Sequence, residues 1–241
     1  MLRKIWLVLQ YVLLLVAVLG SFAFSNYRNE LRKPEELHIN FVSQENLYID
    51  EATVNKLLIQ KFEGSLNQAK ERLVLNRLET ILSEIPLVES AQVYLTIDGE
   101  LRAKIAQRQP IARVVSGSDV YYLDRLSEKM PLSKLHSARV PLITGTTTKE
   151  DLDNCFELLN FINEESFIKD DLVGIHIEEK GSYSLRLRAE DFELYLGSVS
   201  NLPNKIAKLK AFYNKAKKDS IWSQYRRIDL SFDNQLIGTK K

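Results

Sequence analysis

Cys155 is the only cysteine in this 241-residue chain, so no internal disulfide can form. Histidine is nearly as scarce. His38, His136 and His176 lie far apart, and none stands near another histidine or a cysteine at metal-ligand spacing. The nine glycines are scattered and mostly mark turns. They form no G-x-S-x-G elbow and no G-x-x-x-x-G-K-[ST] phosphate loop. Charge of one sign is also missing. Thirty-three Lys and Arg against thirty-two Asp and Glu leave a formal +1, with no general pull toward nucleic acid or an anionic surface. There is no internal repeat and no low-complexity tract. These absences point away from an enzyme, a metal centre, a cofactor site or a small-molecule substrate.

What stands out instead is Ile5 to Phe24, IWLVLQYVLLLVAVLGSFAF, with no charge and only Gln10 strongly polar. As a helix it would rise about 1.5 Å per residue and span about 30 Å, the thickness of a bilayer's hydrocarbon layer. It is apolar all round, as a lipid-facing helix must be. Trp6 and Tyr27 lie near its ends, where amphipathic rings favour the interface. The competing reading is a cleaved signal peptide, with Arg3 and Lys4 as the charged start and Ala23-Phe24-Ser25 as the small-residue site. The apolar run exceeds the usual signal core, which favours an uncleaved anchor. Basic residues flank both ends, so charge alone does not orient it. Residues 1–4 are a short tail too small to form a domain. The mass beyond the helix therefore lies on one side, taken here as the exported side.

Residues 25–36 read as a polar linker containing Pro34. His38 to Val42 reads as a first strand. Asp50 can cap a helix in which Val54, Leu57, Leu58 and Phe62 share a face, ended by Gly64. Leu75, Leu78, Ile81, Leu82 and Ile85 keep the helical spacing of a second helix, stopped by Pro86. Val93, Leu95 and Ile97, then Leu101, Ala103 and Ile105, alternate around Asp98-Gly99, which predicts a hairpin with a two-residue turn. The order β-α-α-β-β thus fills residues 37–108. Gln109-Pro110 opens a second unit, 109–238. Strands are expected over Ile111–Val115, Val120–Leu123, Arg139–Ile143, Val173–Ile177, Tyr183–Arg188 and Phe192–Leu196. A polar loop around Met130-Pro131 separates the second and third of these. Thr148 can cap a helix burying Leu152, Cys155, Leu159 and Ile162. Helix Pro203–Lys217 buries Leu202, Ile206, Leu209 and Tyr213, and a last strand runs Arg227–Leu236 with Ile228, Leu230 and Phe232 on one face. The fold class is α+β: an apolar helix, a small β-α-α-β-β unit, and a mixed, mostly antiparallel sheet with two helices on one side.

Few residues offer chemistry. Glu164, Glu165, Asp170 and Asp171 cluster at one helix end, and a membrane-tethered hydrolase could use such a pair. A solvated helix end explains them better. Cys155 reads as a small buried hydrophobe, His176 as an exposed strand residue. Lys205, Lys208, Lys210, Lys215, Lys217 and Lys218 make one helix basic, without stacking aromatics, and read as a solvated face rather than a nucleic-acid site. Binding through a sheet edge remains. If nothing follows the last strand in its sheet, its backbone groups are a template for a partner strand, and Arg226 and Arg227 could meet acidic side chains there. The alternative is an internal or self-protected strand.

Three stretches carry a family resemblance. They are Ile85-Pro86-Leu87-Val88-Glu89-Ser90-Ala91-Gln92-Val93 with Gln109-Pro110-Ile111-Ala112; Val140-Pro141-Leu142-Ile143-Thr144-Gly145; and Leu196-Gly197 through Lys205–Leu209 to Ile228–Gln235. In their joint order they resemble the bacterial cell division family FtsQ/DivIB, over nearly the whole chain. Leu87 in place of a frequent Trp, Asp98-Gly99 in place of Trp-Pro, and the short tail mark a distant branch. The resemblance implies a transmembrane helix, a POTRA-type domain and a β domain, in a non-enzymatic inner-membrane scaffold of the divisome. The bulk of the chain would lie on the periplasmic side, at the septum. It implies partners of the FtsB and FtsL type, and FtsK- and FtsW-type proteins as further candidates. FtsB would add a strand beside the closing strand, which places Arg227, Ser231, Phe232, Asn234 and Leu236 in or beside the contact. The alternative function is a POTRA-containing envelope protein acting in export or outer-membrane assembly. Such proteins normally carry repeated modules and a barrel, and this chain shows one module and no room for a barrel.

Overall fold

The computed structural model describes residues 2–31, 37–43, 47–61, 72–145, 148–178, 181–188, 191–219 and 224–241. Pro34, Phe62 and Gly64, to which the sequence assigns linker, helix-face and helix-ending roles, lie outside the described residues, as do Lys180 and Glu190 in the turns expected between the strands Val173–Ile177, Tyr183–Arg188 and Phe192–Leu196. The architecture is α+β, and the chain divides into two units: Met1–Glu45 with Ile49–Gln107, and Asn46–Tyr48 with Arg108–Lys241.

Helix α1, Leu2–Leu31, is long and apolar enough to cross a membrane over Leu9–Tyr27, and none of that window is buried in protein. It covers the first part of the expected linker. Ser25 to Leu31 contains neither proline nor glycine, so nothing halts the helix where the apolar run ends.

The first unit is β1 (Leu37–Phe41), α2 (Glu51–Lys61), α3 (Arg72–Ser83), β2 (Val88–Leu95) and β3 (Leu101–Gln107), with sheet order β1-β3-β2. Strand β1 runs parallel to β3, and β2 antiparallel. Asp50 caps α2 by accepting the Thr53 amide at 2.9 Å. Val54, Leu58, Leu78, Leu82, Leu101 and Ile105 meet in one core. The hairpin loop has three residues, not two. Thr96 N–H bonds Glu100 O and Gly99 N–H bonds Thr96 O, each at 2.9 Å, so Ile97, Asp98 and Gly99 form the loop. Only Gly99 takes a positive φ, +89°. Asp98 stays in the ordinary region, and Ile97, expected on the buried face, is 97% exposed.

The second unit is built on a nine-stranded mixed sheet, ordered β12-β11-β10-β9-β8-β7-β4-β5-β6. The strands are β4 (Pro110–Ser116), β5 (Asp119–Asp124), β6 (Lys129–Met130), β7 (Leu142–Gly145), β8 (Leu172–Ile177), β9 (Tyr183–Leu187), β10 (Glu193–Gly197), β11 (Tyr225–Asp229) and β12 (Ile237–Lys240). Five neighbouring pairs are antiparallel and three parallel. Helices α4 (Lys149–Glu164) and α5 (Leu202–Asp219) supply the parallel crossovers β7–β8 and β10–β11. Their inner faces close over Ile143, Ile175, Leu185, Leu194 and Ile228 in one core. Lys210 on α5 reaches Glu165 after α4 at 2.6 Å, and Phe167 meets Tyr213 edge-on at 5.2 Å. Tyr213 is thus half-buried rather than fully interior.

Strand β7 starts three residues later than expected. Pro141 has no amide to give the ladder, although its carbonyl accepts from the Arg113 amide at 2.8 Å. Its last residue, Gly145, has φ +108° and lies so close to the Ile177 backbone that a Cβ would not fit. Strand β6, absent from the sequence reading, is only two residues long.

Candidate partner-binding edge

The sequence predicts one closing strand, Arg227–Leu236, with an open margin. The structure corrects this. Strand β11 ends at Asp229, the chain turns through residues 230–236, and β12 returns antiparallel along β11. The β11 part of the margin assigned to Arg227–Leu236 is therefore covered by the protein's own backbone, and among the described residues the outermost strand on this side is Ile237–Lys240. Local chemistry explains the break. The Asp229 carboxylate accepts the Ser231 amide at 2.8 Å and its hydroxyl at 2.6 Å, a side-chain turn that takes Ser231 out of the ladder. Asp233 and Asn234, both turn formers, follow at once.

The nine-stranded sheet has two margins, and they differ. At one end β6 offers two residues, with Lys129 Nζ 4.2 Å from the centre of the Tyr121 ring and Pro131 next in the chain. A short, charged, proline-ended strand resists pairing. At the other end all four residues of β12 are exposed. The inner side of β12 is held by β11, with Arg227 opposite Thr239 and Asp229 opposite Ile237, and the Lys241 amide continues the pairing to Gln224 O at 2.9 Å. Backbone groups alternate sides along a strand, so the N–H and C=O groups of Gly238 and Lys240 face outward. Atoms of the Tyr225 ring lie where a Cβ on Gly238 would fall, so a side chain there would require the ring to move.

The five residues that the resemblance places at the contact are distributed unevenly. Arg227 lies on β11, its guanidinium 4.1 Å from the Tyr195 ring centre and 3.3 Å from Glu193. Its charge is met within the chain, where the sequence reading offers it to a partner. Ser231, Phe232 and Asn234 sit together on the exposed turn, and Phe232 is 44% exposed. Leu236 is half-buried against the core. Four of the five thus form the approach to β12, not the edge itself. Sequence reasoning missed Ile237–Lys240. The signal was a glycine-containing four-residue run placed just after Ser, Asp and Asn turn residues.

The lysines of α5 are not all solvated. Lys205 is 5% exposed and donates to Ser198 O at 2.7 Å; burial, then the neighbouring Lys208 charge, pull its pKa down. Lys208 Nζ donates to the carbonyls of Leu230, at 3.3 Å, and Phe232. Asn204 Nδ2 donates to Asp233 O at 3.4 Å.

Glu165 is taken up by Lys210. His176 is exposed and shares a hydrogen bond with Thr144 Oγ1 at 2.9 Å. Burial, with a smaller contribution from Asp151, pushes the Cys155 thiol up to about 12, where it is an inert hydrophobe. Among the described residues no three His, Cys, Asp or Glu stand where they could hold a metal ion. A trough of about 360 Å³ crosses β7 to β10, lined by Leu142, Thr144, His176, Arg186 and Glu193 among others.

The family described as "FtsQ/DivIB, C-terminal related" matches residues 109–239, more than half of the chain and nearly all of the second unit. The chain belongs to the FtsQ/DivIB C-terminal related family. A cell division protein FtsQ of Salinibacter ruber (strain DSM 13855 / M31) is 27% identical over 155 residues, 58% of this chain and 60% of that relative. The chain thus aligns with about three fifths of that protein's length. The major extracytoplasmic domain of the division protein DivIB from Geobacillus stearothermophilus, in its trans isomer, is similar with a TM-score of 0.33 and 11% identity. That likeness covers 47% of this chain and 97% of the domain. It adds nothing to the fold, which rests on the strand order above. The match ends at residue 239, so the FtsQ/DivIB-related region takes in β11, the turn and nearly all of β12.

Proposed function

We propose that this FtsQ/DivIB-like cell division protein is a non-catalytic, single-pass scaffold of the inner membrane that captures FtsB- and FtsL-type partners by strand addition at β12. In this reading α1 spans the bilayer and both folded units stand on the periplasmic side, at the septum. The β-α-α-β-β unit is read as the family's POTRA-type module, which together with α1 serves localisation and early partners; proteins of the FtsK and FtsW type are further candidate partners of the chain.

The observation that carries the proposal is the contrast between the two margins. One is short and guarded; the other presents outward amides and carbonyls from an exposed strand. An incoming strand would satisfy those groups, with backbone bonds supplying affinity and flanking side chains supplying choice. Phe232, on the turn beside that margin, offers an aromatic contact of the kind that dominates small interfaces. Arg227, Ser231, Asn234 and Leu236 hold the surface around it.

The test uses the full chain in nanodiscs and the periplasmic segments of the FtsB- and FtsL-type proteins of the same cell. Lys240→Pro removes an outward amide and leaves the β11 ladder intact. It is expected to weaken capture by about tenfold or more, the equivalent of about 1.4 kcal/mol. Phe232→Ala is expected to cost a similar factor. Normal binding by both variants sinks strand addition at this edge. Depletion in the source organism should give filaments with unfinished septa; normal division with an envelope-export defect would overturn the division role itself.

A further inference from the structure

Strand β12 has little of its own to keep it in place. All four of its residues are exposed, and Leu236 just before it is only half-buried, so β12 adds little apolar burial of its own. Yet its connection to β11 is held at several consecutive points. Leu230 N–H bonds Tyr195 O at 2.8 Å, and Asp229 holds Ser231. The next carbonyls are claimed from across the fold by one helix. Lys208 takes those of Leu230 and Phe232, and Asn204 takes that of Asp233. Asn204 and Lys208 are four apart, so they lie one above the other on the same helix face.

From this convergence we infer that Lys208, assisted by Asn204, is a positioning residue for the partner edge: α5 fixes the turn, and the turn fixes where β12 presents its outward backbone. A lysine suits the task. It is a point charge with three rotatable donors, so one ammonium can serve the two carbonyls of Leu230 and Phe232 at once. Bonds from a charged donor are also stronger than neutral ones. The inference rests on the reading of β12 as the partner edge, and its test separates the two.

The full chain is compared as wild type, Lys208→Met, Lys208→Arg and Lys215→Met. Lys215 is an exposed lysine of the same helix and serves as control. Amide hydrogen exchange is followed at Ile237, Thr239 and Lys241, and separately in β8 to β10. Capture of the FtsB- and FtsL-type segments is measured on the same samples. In Lys208→Met the amides of β12 should exchange about tenfold faster with β8 to β10 unchanged, and capture should weaken by a comparable factor. Lys208→Arg should restore most of both, and Lys215→Met should change neither. Unchanged exchange at β12 in Lys208→Met overturns the positioning role. So does faster exchange throughout the sheet, which would make Lys208 a general stabiliser. Faster exchange at β12 with undiminished capture leaves the clamp standing and removes β12 as the partner edge.

Discussion

Asp124 is a carboxylate without exposed surface, and the fold accepts it because its oxygens are fully engaged. One oxygen accepts the amides of Leu126 and Glu128 at 2.9 and 2.8 Å, closing the β5–β6 turn around Ser127, whose φ is +62°. The other meets Arg108 Nη1 at 2.6 Å. Asp124→Ala would orphan two amides and a mostly buried guanidinium, at an expected cost of about 3–5 kcal/mol. Asp124→Asn keeps an acceptor for the amides and should cost clearly less. Denaturant midpoints of the two variants check this, and equal midpoints would show that Arg108, not the turn, carries the loss. Such a pair is hard to read in a sequence. Arg108 and Asp124 are joined only because β4 folds back on β5, and Gln109-Pro110 announces a boundary without naming what anchors it. Lys208 was hidden for a related reason. Its position on α5 looks like solvated face until the turn it reaches is known.

The elements that were legible are those whose signal is local. Thr148 and Asp151 form a reciprocal capping box, with the Asp151 amide on Thr148 Oγ1 at 3.2 Å and the Thr148 amide on Asp151 Oδ2 at 3.1 Å. Both residues can be picked out three apart before a helical run. The Thr148 hydroxyl, then its amide and the Tyr183 hydroxyl, hold the Asp151 carboxyl below the ordinary carboxylate range against the opposing effect of burial. Its folded pKa is therefore depressed. The resulting stabilisation is present above the unfolded value, near pH 4, and is lost as pH falls through the folded one. Thr148→Ala should lower stability at pH 7 by about 1 kcal/mol. The gap between wild type and Asp151→Asn should shrink as pH is taken from 5 toward 2. A gap that stays constant over that range would mean that the box contributes no charge-dependent stability. The closing strand was misread because alternation is also local. Ile228 and Leu230 do bury together, but Phe232 continues the pattern only in sequence, since Asp229 has already drawn Ser231 into a turn. At the first hairpin the Asp-Gly pair gave the place of the turn. Its length was set by Thr96 pairing with Glu100, which pushes Ile97 out of the strand.

At the scale of the molecule, two hydrophobic cores share no residue. Leu78, Leu82, Leu101 and Ile105 belong to one; Ile143, Leu185, Leu194 and Ile228 belong to the other. The membrane-length window of α1, Leu9–Tyr27, contributes to neither, since it is exposed throughout. A chain built this way should lose its parts separately. Leu82 has no exposed surface, and truncating a buried leucine removes its transfer energy and leaves a cavity, together about 2–5 kcal/mol. Leu82→Ala should therefore speed exchange across β1 to β3 while β8 to β11 keep their wild-type protection. Capture at β12 should also stay at its wild-type level, because the edge is braced by α5 and by β11, not by the first core. The reciprocal variant, Leu194→Ala, should loosen β8 to β11 and abolish capture with β1 to β3 unaffected. Loss of protection in both units from either substitution would show that they unfold as one, and the edge would then report on the whole extramembrane fold rather than on the second core alone.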